Sequence, residues 1–191
     1  MTTLLAEAME DINIAFLQLE FAIKLLSFCE LGNVDPIKFD TDHVIVLPEG
    51  NLNFPTGHFD DADRINRAAS ISVLLAFSAS VLVLDQAFEI ARMRPDPERN
   101  DDAGRLRTLI YMVRCAQAHG IAEPRWEVRG KFSRTLEIDS NGIDISLDLH
   151  KLHGQRFNVE QIGGYTGWYR IYNAAVRLLT QSSPVPTGSH K

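Results

Sequence analysis

The sequence has very few cysteines and no cysteine spacing that is typical of a metal site. Its two cysteines, Cys29 and Cys115, lie far apart, and the sequence contains no C-x-x-C pair. Two thiols are too few for a cysteine-based zinc site or a disulfide framework. We therefore expect reduced thiols in a cytoplasmic protein, with no metal and no cofactor.

The first residues also lack the features of a secretory leader. They read MTTLLAEAMEDINIAF, with no early lysine or arginine and with acidic residues from the start, so we expect no signal peptide. The longest uncharged run, residues 68–84, is interrupted by four serines and is shorter than the roughly 20 apolar residues of a membrane-spanning helix. It predicts a buried helix and no membrane span.

Positive charge is scarce overall but concentrated in one strip. The net charge of −6 argues against a general nucleic-acid binder. Residues 105–134, however, contain seven basic and two acidic residues. A basic strip on an acidic protein can still attract a polyanion such as RNA.

Apolar residues recur at three- and four-residue steps in four long segments, which predicts four long helices. The expected bounds are residues 4–31, about 60–94, about 101–118 and 158–181. Asp60 or Asp61 is expected to cap the second helix, Asp101 or Asp102 to cap the third, and Asn158 to open the last. The predicted fold class is mainly α, an up-and-down helical bundle in a single domain of residues 1–183, and residues 184–191 are expected to form a disordered tail.

Extended segments are expected between these helices. Residues 43–54 place the turn sequence PEGN between two apolar runs, which predicts a small β-hairpin or an extended loop. The stretch RTLEIDSNGIDISLDL centres on Asn141-Gly142, a strong signal for a two-residue hairpin turn. That turn pairs Ile138 with Ile145 on an apolar face and puts the acidic residues on the other face. This second hairpin, within residues 126–150, would be an insertion before the last helix.

The end of the third helix carries the residues that best fit a catalytic site, Arg114 and His119, in the stretch YMVRCAQAHG. An arginine fork binds phosphate oxygens, and a histidine transfers protons near neutral pH. Together they suit RNA cleavage, in which a base removes the proton of a 2′-hydroxyl that then attacks its own phosphate. Five helical residues turn by about 140° and rise about 7.5 Å, so the pair can meet only if the helix ends before His119 or if two pairs meet in a dimer.

This pattern in a helical domain resembles the higher eukaryotes and prokaryotes nucleotide-binding (HEPN) superfamily, in which R-x4-6-H ends the third long helix. Its commonest local form is Arg-Asn, two residues, then Ala-His. The sequence RCAQAH is similar at Arg114, Ala118 and His119, and departs at Cys115, where the family prefers a polar residue. The resemblance covers residues 4–118 and 158–181.

The resemblance implies a metal-independent endoribonuclease of the toxin–antitoxin or defence type, working as a homodimer with its site at the interface. An antitoxin or a nucleotidyltransferase would be its partner. Many HEPN proteins do not cleave RNA, so the alternative is an interaction module that binds a protein partner or a nucleotide.

Further residues are candidates with two interpretations each. Arg107, Tyr111 and Arg125 either contact substrate phosphates or are solvated or packed. Trp126 either stacks on an RNA base or packs inward, and Gln117 is expected to be a buried hydrogen-bonding residue.

Three short motifs fit structural roles better than ligand sites. The histidines of HKLH, His150 and His153, are expected in a loop rather than on a metal. His58, in GHFDD, is likewise expected to be no metal ligand, because the acidic residues beside it are explained as a helix cap. The glycines of GGYTGW, residues 163–168, lack the strand and the lysine of a phosphate-binding loop and are expected to allow close packing beside core aromatic residues.

Overall fold

The computed structural model describes residues 3–118, 120 and 123–181. It is mainly helical and has two small β-hairpins. The helices are α1 (Thr3–Glu30), α2 (Pro36–Phe39), α3 (Ala62–Ile90), α4 (Asp102–Gln117), α5 (Leu149–Leu152) and α6 (Gly164–Gln181). The strands are β1 (His43–Leu47), β2 (Gly50–Phe54), β3 (Thr135–Ser140) and β4 (Ile143–Asp148), and short 3-10 turns occupy Gly130–Phe132 and Val159–Ile162. His119 and the predicted tail, residues 184–191, lie outside the described residues.

The chain divides into two compact units. Unit 1 comprises Met1–Ala15 and Ser78–Lys191, and unit 2 comprises Phe16–Phe77. Helices α1 and α3 each contribute one end to unit 1 and the other end to unit 2. Unit 1 therefore holds α4, the β3–β4 hairpin and α6, and unit 2 holds α2 and the β1–β2 hairpin.

The long helices begin at capping residues, as predicted. The Asp61 carboxylate accepts a hydrogen bond of 2.8 Å from the Arg64 amide at the start of α3. The Asp101 carboxylate accepts one of 2.8 Å from the Gly104 amide at the start of α4. These carboxylates satisfy amides that have no partner within the helix.

Helix α3 runs without a break but ends at Ile90, four residues before the predicted stop at Arg94. Arg92 adopts a left-handed conformation with φ of 58°. The Met93 amide then donates to the Phe88 carbonyl at 2.9 Å, which is the bond that closes a helix in this way. Pro95, on which the predicted helix end was based, lies in the loop after α3 and not directly after its last turn.

The β3–β4 hairpin has the predicted register. Ile138 pairs with Ile145, and Leu136 pairs with Leu147. Asn141 and Gly142 have φ of 54° and 75°, the positive values that a two-residue turn of this kind requires. The apolar face is buried, and the hairpin packs on α4 and α6.

The predicted last helix is interrupted. Asn158 and Gln161 form the expected capping box, but they open a 3-10 turn, Val159–Ile162. Gly163 then adopts a left-handed conformation with φ of 86°, and α6 begins at the next residue. A β-carbon on Gly167 would lie 2.2 Å from the Ile162 carbonyl oxygen, so this glycine allows the turn and the helix to approach closely.

Unit 2 exposes most of its large apolar side chains. Among the described residues, eighteen large hydrophobic residues are exposed; three of these, Leu4, Ile14 and Leu82, belong to unit 1, and the other fifteen belong to unit 2. Every residue of β1 and β2 is exposed. The apolar surface of unit 2, as we name it, comprises Leu17, Phe21, Phe28, Ile71, Leu74, Leu75 and the strand residues of the β1–β2 hairpin.

Helices α1 and α3 are long and apolar enough to cross a membrane, judged by length and composition. Their most apolar windows have mean hydropathy of 1.6 and 2.0, and a third and a half of those residues are buried inside the protein. A core helix of a soluble protein has the same properties.

Candidate functional site at the end of helix α4

Helix α4 ends at Gln117, two residues before His119. The Ala118 amide closes the last turn by donating to the Arg114 carbonyl at 3.1 Å. The chain then returns, and the Arg125 amide donates to the Ala116 carbonyl at 3.1 Å. The helix therefore stops where the Arg114–His119 hypothesis requires it to stop, although His119 itself lies outside the described residues.

Arg114 lies in the last turn of α4 with its side chain 42% exposed. Its nearest carboxylate among the described residues is Asp85 of α3, whose oxygen is 3.8 Å from Arg114 Nε. Asp85 itself is buried. At this distance the two groups attract each other by charge but do not form a hydrogen bond, and the Arg114 side chain also interacts with the Cys115 thiol.

Arg107 does not have the surroundings of a substrate-binding residue. It is 1% exposed. It forms ion pairs with Asp85 and Glu89 and donates to the Met93 carbonyl at 2.7 Å through Nε. A phosphate could reach it only by displacing these partners, so of the two interpretations offered by the sequence the packed one holds.

Asp85 is the residue that sequence reasoning missed. Arg107 and Arg114 are seven positions apart, and two helical turns place them on one face of α4. One Asp85 oxygen pairs with Arg107 and the other faces Arg114. Its position in the sequence could have revealed that it is buried, because Asp85 directly follows the uncharged run of α3 and falls between the buried Leu84 and Phe88. An acidic residue inside a buried helical stripe needs a cation.

Tyr111 and Cys115 lie one turn apart on α4 and interact with each other. A hydrogen bond to Cys115 and burial raise the pKa of the Tyr111 hydroxyl. Burial raises the pKa of the Cys115 thiol, against the lowering effects of Tyr111 and Arg114. The Tyr111 ring also packs on Phe132, with 5.2 Å between ring centroids. Tyr111 is half-buried, and packing accounts for its position.

Arg125 is exposed and lies on the chain segment that follows the site. Its guanidinium donates to the Gly154 carbonyl at 3.1 Å and is 3.5 Å from the Glu123 carboxylate. Its side chain remains 55% exposed, so these contacts leave it accessible to a ligand.

Trp126 and Gln117 have structural roles. Trp126 is buried, and its indole nitrogen donates to the Gln161 side chain at 2.9 Å. RNA stacking on this ring is therefore wrong and the inward-packing interpretation is confirmed. Gln117 is also buried and accepts a hydrogen bond of 2.8 Å from Ser78, as predicted.

The remaining motifs form no metal cluster within the described residues. His150 lies in the short helix α5 and not in the expected loop, 2.8 Å from the Ser133 hydroxyl, and His153, at the end of that helix, accepts a hydrogen bond of 3.1 Å from the Val128 amide. No group of three or more histidine, cysteine or acidic side chains comes together in the part of the chain that the structure describes. The glycines at 163–168 lie at the close packing of the 3-10 turn and α6, beside the buried Trp168.

Comparison with known proteins finds no matching family model, no matching curated protein and no matching solved structure. The functional argument therefore rests on the residues at the end of α4 and on the surfaces around them.

Proposed function

We propose that this chain is a metal-independent endoribonuclease of the HEPN type, with Arg114 and His119 as its catalytic pair. The observation that carries the proposal is the end of α4 between these two residues, with Arg114 half-exposed and 3.8 Å from a buried carboxylate. The proposed architecture is the up-and-down bundle of that superfamily, built on α1, α3, α4 and α6.

The proposed reaction is cleavage by the neighbouring 2′-hydroxyl. His119 removes the 2′-hydroxyl proton, and the oxygen attacks the phosphorus. The 5′-oxygen of the next nucleotide leaves and takes up a proton, which gives a 2′,3′-cyclic phosphate and a 5′-hydroxyl. The guanidinium of Arg114 stabilises the charge that develops on the phosphate oxygens.

The proposed active form is a homodimer in the cytoplasm, with the Arg114–His119 pair at the cleft between the two copies. We also propose that a second copy covers the apolar surface of unit 2. Phe21 and Leu75 are 60% and 47% exposed, and apolar patches of this kind mark interaction surfaces. A small antitoxin or a nucleotidyltransferase is the proposed regulatory partner, and the acidic face of the β3–β4 hairpin is available to it.

The test is cleavage of a labelled RNA in the presence of a chelator. We expect His119→Ala and Arg114→Ala each to lower the rate at least about a hundredfold. Arg129→Ala is the matched control, because Arg129 is an exposed arginine that pairs with Glu127 away from the pair. Equal rates for the wild type and His119→Ala would refute the catalytic proposal.

A second candidate function is a non-catalytic interaction module. Cys115, in the slot where the HEPN family prefers a polar residue, favours it, because a thiol is a much weaker hydrogen-bonding group than the asparagine amide that is common there. The variant Cys115→Asn separates the candidates. An endoribonuclease is expected to gain activity from the polar side chain, whereas a binding module is expected to stay inactive and to be harmless when overproduced.

A further inference from the structure

The cations of the basic strip, residues 105–134, divide into two groups. Five of the seven pair with carboxylates: Arg107, Arg114, Arg125, Arg129 and Lys131. The other two, Arg105 and Arg134, contact no carboxylate among the described residues and donate to the backbone carbonyls of Glu137 and Pro97. A backbone carbonyl leaves the guanidinium charge uncompensated, so these two arginines remain attractive to an anion.

Both of these arginines line one cavity of about 180 Å³ in unit 1, together with a third, Arg99. The cavity lies between the segment before α4, the first two turns of α4 and strand β3. Glu137 is the single acidic residue in its lining, and of the three arginines only Arg99 forms an ion pair within the described part of the chain, with Asp101. Arg99 is also held in place, because its Nε and Nη2 donate to Asp101 at 2.9 and 2.7 Å.

Gly104 is part of how this cavity is built. A β-carbon at Gly104 would lie 2.5 to 2.8 Å from the side-chain carbons of Arg99. The absence of a side chain at this position lets the Arg99 stem lie directly on the first turn of α4. The arginine is therefore fixed by packing as well as by its ion pair.

Thr108 also lies in the cavity lining and is 1% exposed. Its hydroxyl is buried and has no hydrogen-bond partner among the described residues. Because this oxygen is closed to solvent, Thr108 belongs to the packed wall of the cavity, and the arginines are the groups in the lining that would bind an anion.

We propose that this cavity binds a single phosphate group. Arginine forks match phosphate oxygens in geometry and charge. Sites for drug-sized ligands usually measure roughly 300–1,000 Å³, so this cavity has room for a phosphate but not for a whole nucleotide. The phosphate belongs either to an RNA backbone, in which case the inference rests on the proposed function, or to a small phosphate ester.

The experiment measures binding to the full chain by calorimetry in a buffer free of phosphate and sulfate. The probes are inorganic phosphate, adenosine monophosphate and a short 2′-O-methyl RNA, which cannot be cleaved by its own 2′-oxygen. We expect saturable phosphate binding to the wild type. We expect R105Q/R134Q to weaken it about tenfold or more, because charged hydrogen bonds are lost, and R129Q to leave it unchanged.

A second variant removes the third arginine of the lining. Arg99→Gln is expected to weaken phosphate binding several-fold, because one guanidinium of the site is lost, and to leave the fold intact, because the Arg99 side chain is half-exposed. If circular dichroism shows that R105Q/R134Q does not fold, this variant and the wild-type titration are sufficient to test phosphate binding. Absence of saturable phosphate binding to the wild type, or equal weakening in R129Q, overturns the proposal.

The other probes identify the source of the phosphate. Displacement by the RNA, with RNA binding weakened in Arg99→Gln, assigns the site to an RNA backbone. Displacement by adenosine monophosphate alone assigns it to a small ester, and displacement by neither leaves free phosphate as the ligand. These measurements involve no cleavage, so they stand even if the Arg114–His119 proposal fails.

Discussion

Unit 1 and unit 2 differ in what they bury. Unit 1 places an arginine and a carboxylate, Arg107 and Asp85, within a well-covered apolar core. Unit 2 has few buried residues and leaves its large apolar side chains exposed on α1, α3 and the β1–β2 hairpin. Unit 1 therefore has the surroundings that fix functional groups in place, and unit 2 has the surface that a partner would cover. Each prediction below tests one side of this difference.

The largest effect is expected from the buried arginine of unit 1. Arg107→Met leaves Asp85 buried without its closest cation, and breaking a buried pair in this way costs about 3–5 kcal/mol. Urea unfolding measures the change. The matched control is Arg129→Met, because the side chain of Arg129 is 77% exposed and such pairs contribute about 0–1 kcal/mol. Similar losses in the two variants would contradict the contrast between buried and exposed pairs.

The next effect concerns the apolar surface of unit 2. If a second copy covers it, Phe21→Lys and Leu75→Lys are each expected to weaken self-association by about 2 kcal/mol, or about 30-fold. Light scattering coupled to size exclusion measures the mass over a range of concentrations. Leu4→Lys, at an exposed apolar position of unit 1, is the control and should leave the mass unchanged. A wild type that is monomeric at all concentrations would refute the homodimer, and recovery in the membrane fraction would assign the surface to lipid.

A smaller effect is expected at Gly167 in α6. Alanine usually stabilises a helix relative to glycine by about 1 kcal/mol. Here the added carbon would meet the Ile162 carbonyl at 2.2 Å, and overpacking of this kind costs about 1–3 kcal/mol. We expect Gly167→Ala to lower the thermal midpoint. An unchanged or higher midpoint would show that the turn before α6 shifts away from the added carbon at little cost in free energy.

The smallest effect is on thiol reactivity, with one cysteine in each unit. Burial raises the pKa of Cys115 in unit 1 and of Cys29 in unit 2. A raised pKa lowers the thiolate fraction, so both should react slowly with iodoacetamide at neutral pH and faster as pH rises beyond 9. The folded state then binds these protons more tightly, so stability should fall as pH rises from the ordinary thiol value towards the raised one. Rapid labelling of native protein at pH 7 would contradict this.

Local sequence signals predicted the parts of the fold that depend on neighbouring residues. The turn at Asn141 and Gly142, the cap at Asp101 and the capping box at Asn158 were all predicted because each depends on residues within a few positions. The interruption before α6 was not predicted. The apolar residues of the 3-10 turn and of α6 follow the same spacing as one continuous helix would, and the left-handed conformation of Gly163 that separates them leaves no mark on that spacing.

The candidate site was predictable only in part, for a related reason. Arg114 and the end of α4 follow from one short stretch of sequence. The pairing of Arg107 with Asp85 joins two helices 22 positions apart, and helical periodicity does not say which polar side chains on different helices will meet. The three arginines of the phosphate cavity likewise come from separate segments, so their convergence depends on the tertiary fold.

The two contacts of Asp85 are unequal, and this has an evolutionary consequence. Arg107 holds the carboxylate closely inside the protein, while Arg114 approaches it only to 3.8 Å from the surface side. A lineage that lost Arg114 would keep its fold, because Asp85 would still have its closest cation. If the proposed pair cleaves RNA, a single substitution of Arg114 would turn the endoribonuclease into a non-catalytic binding protein without passing through an unstable protein.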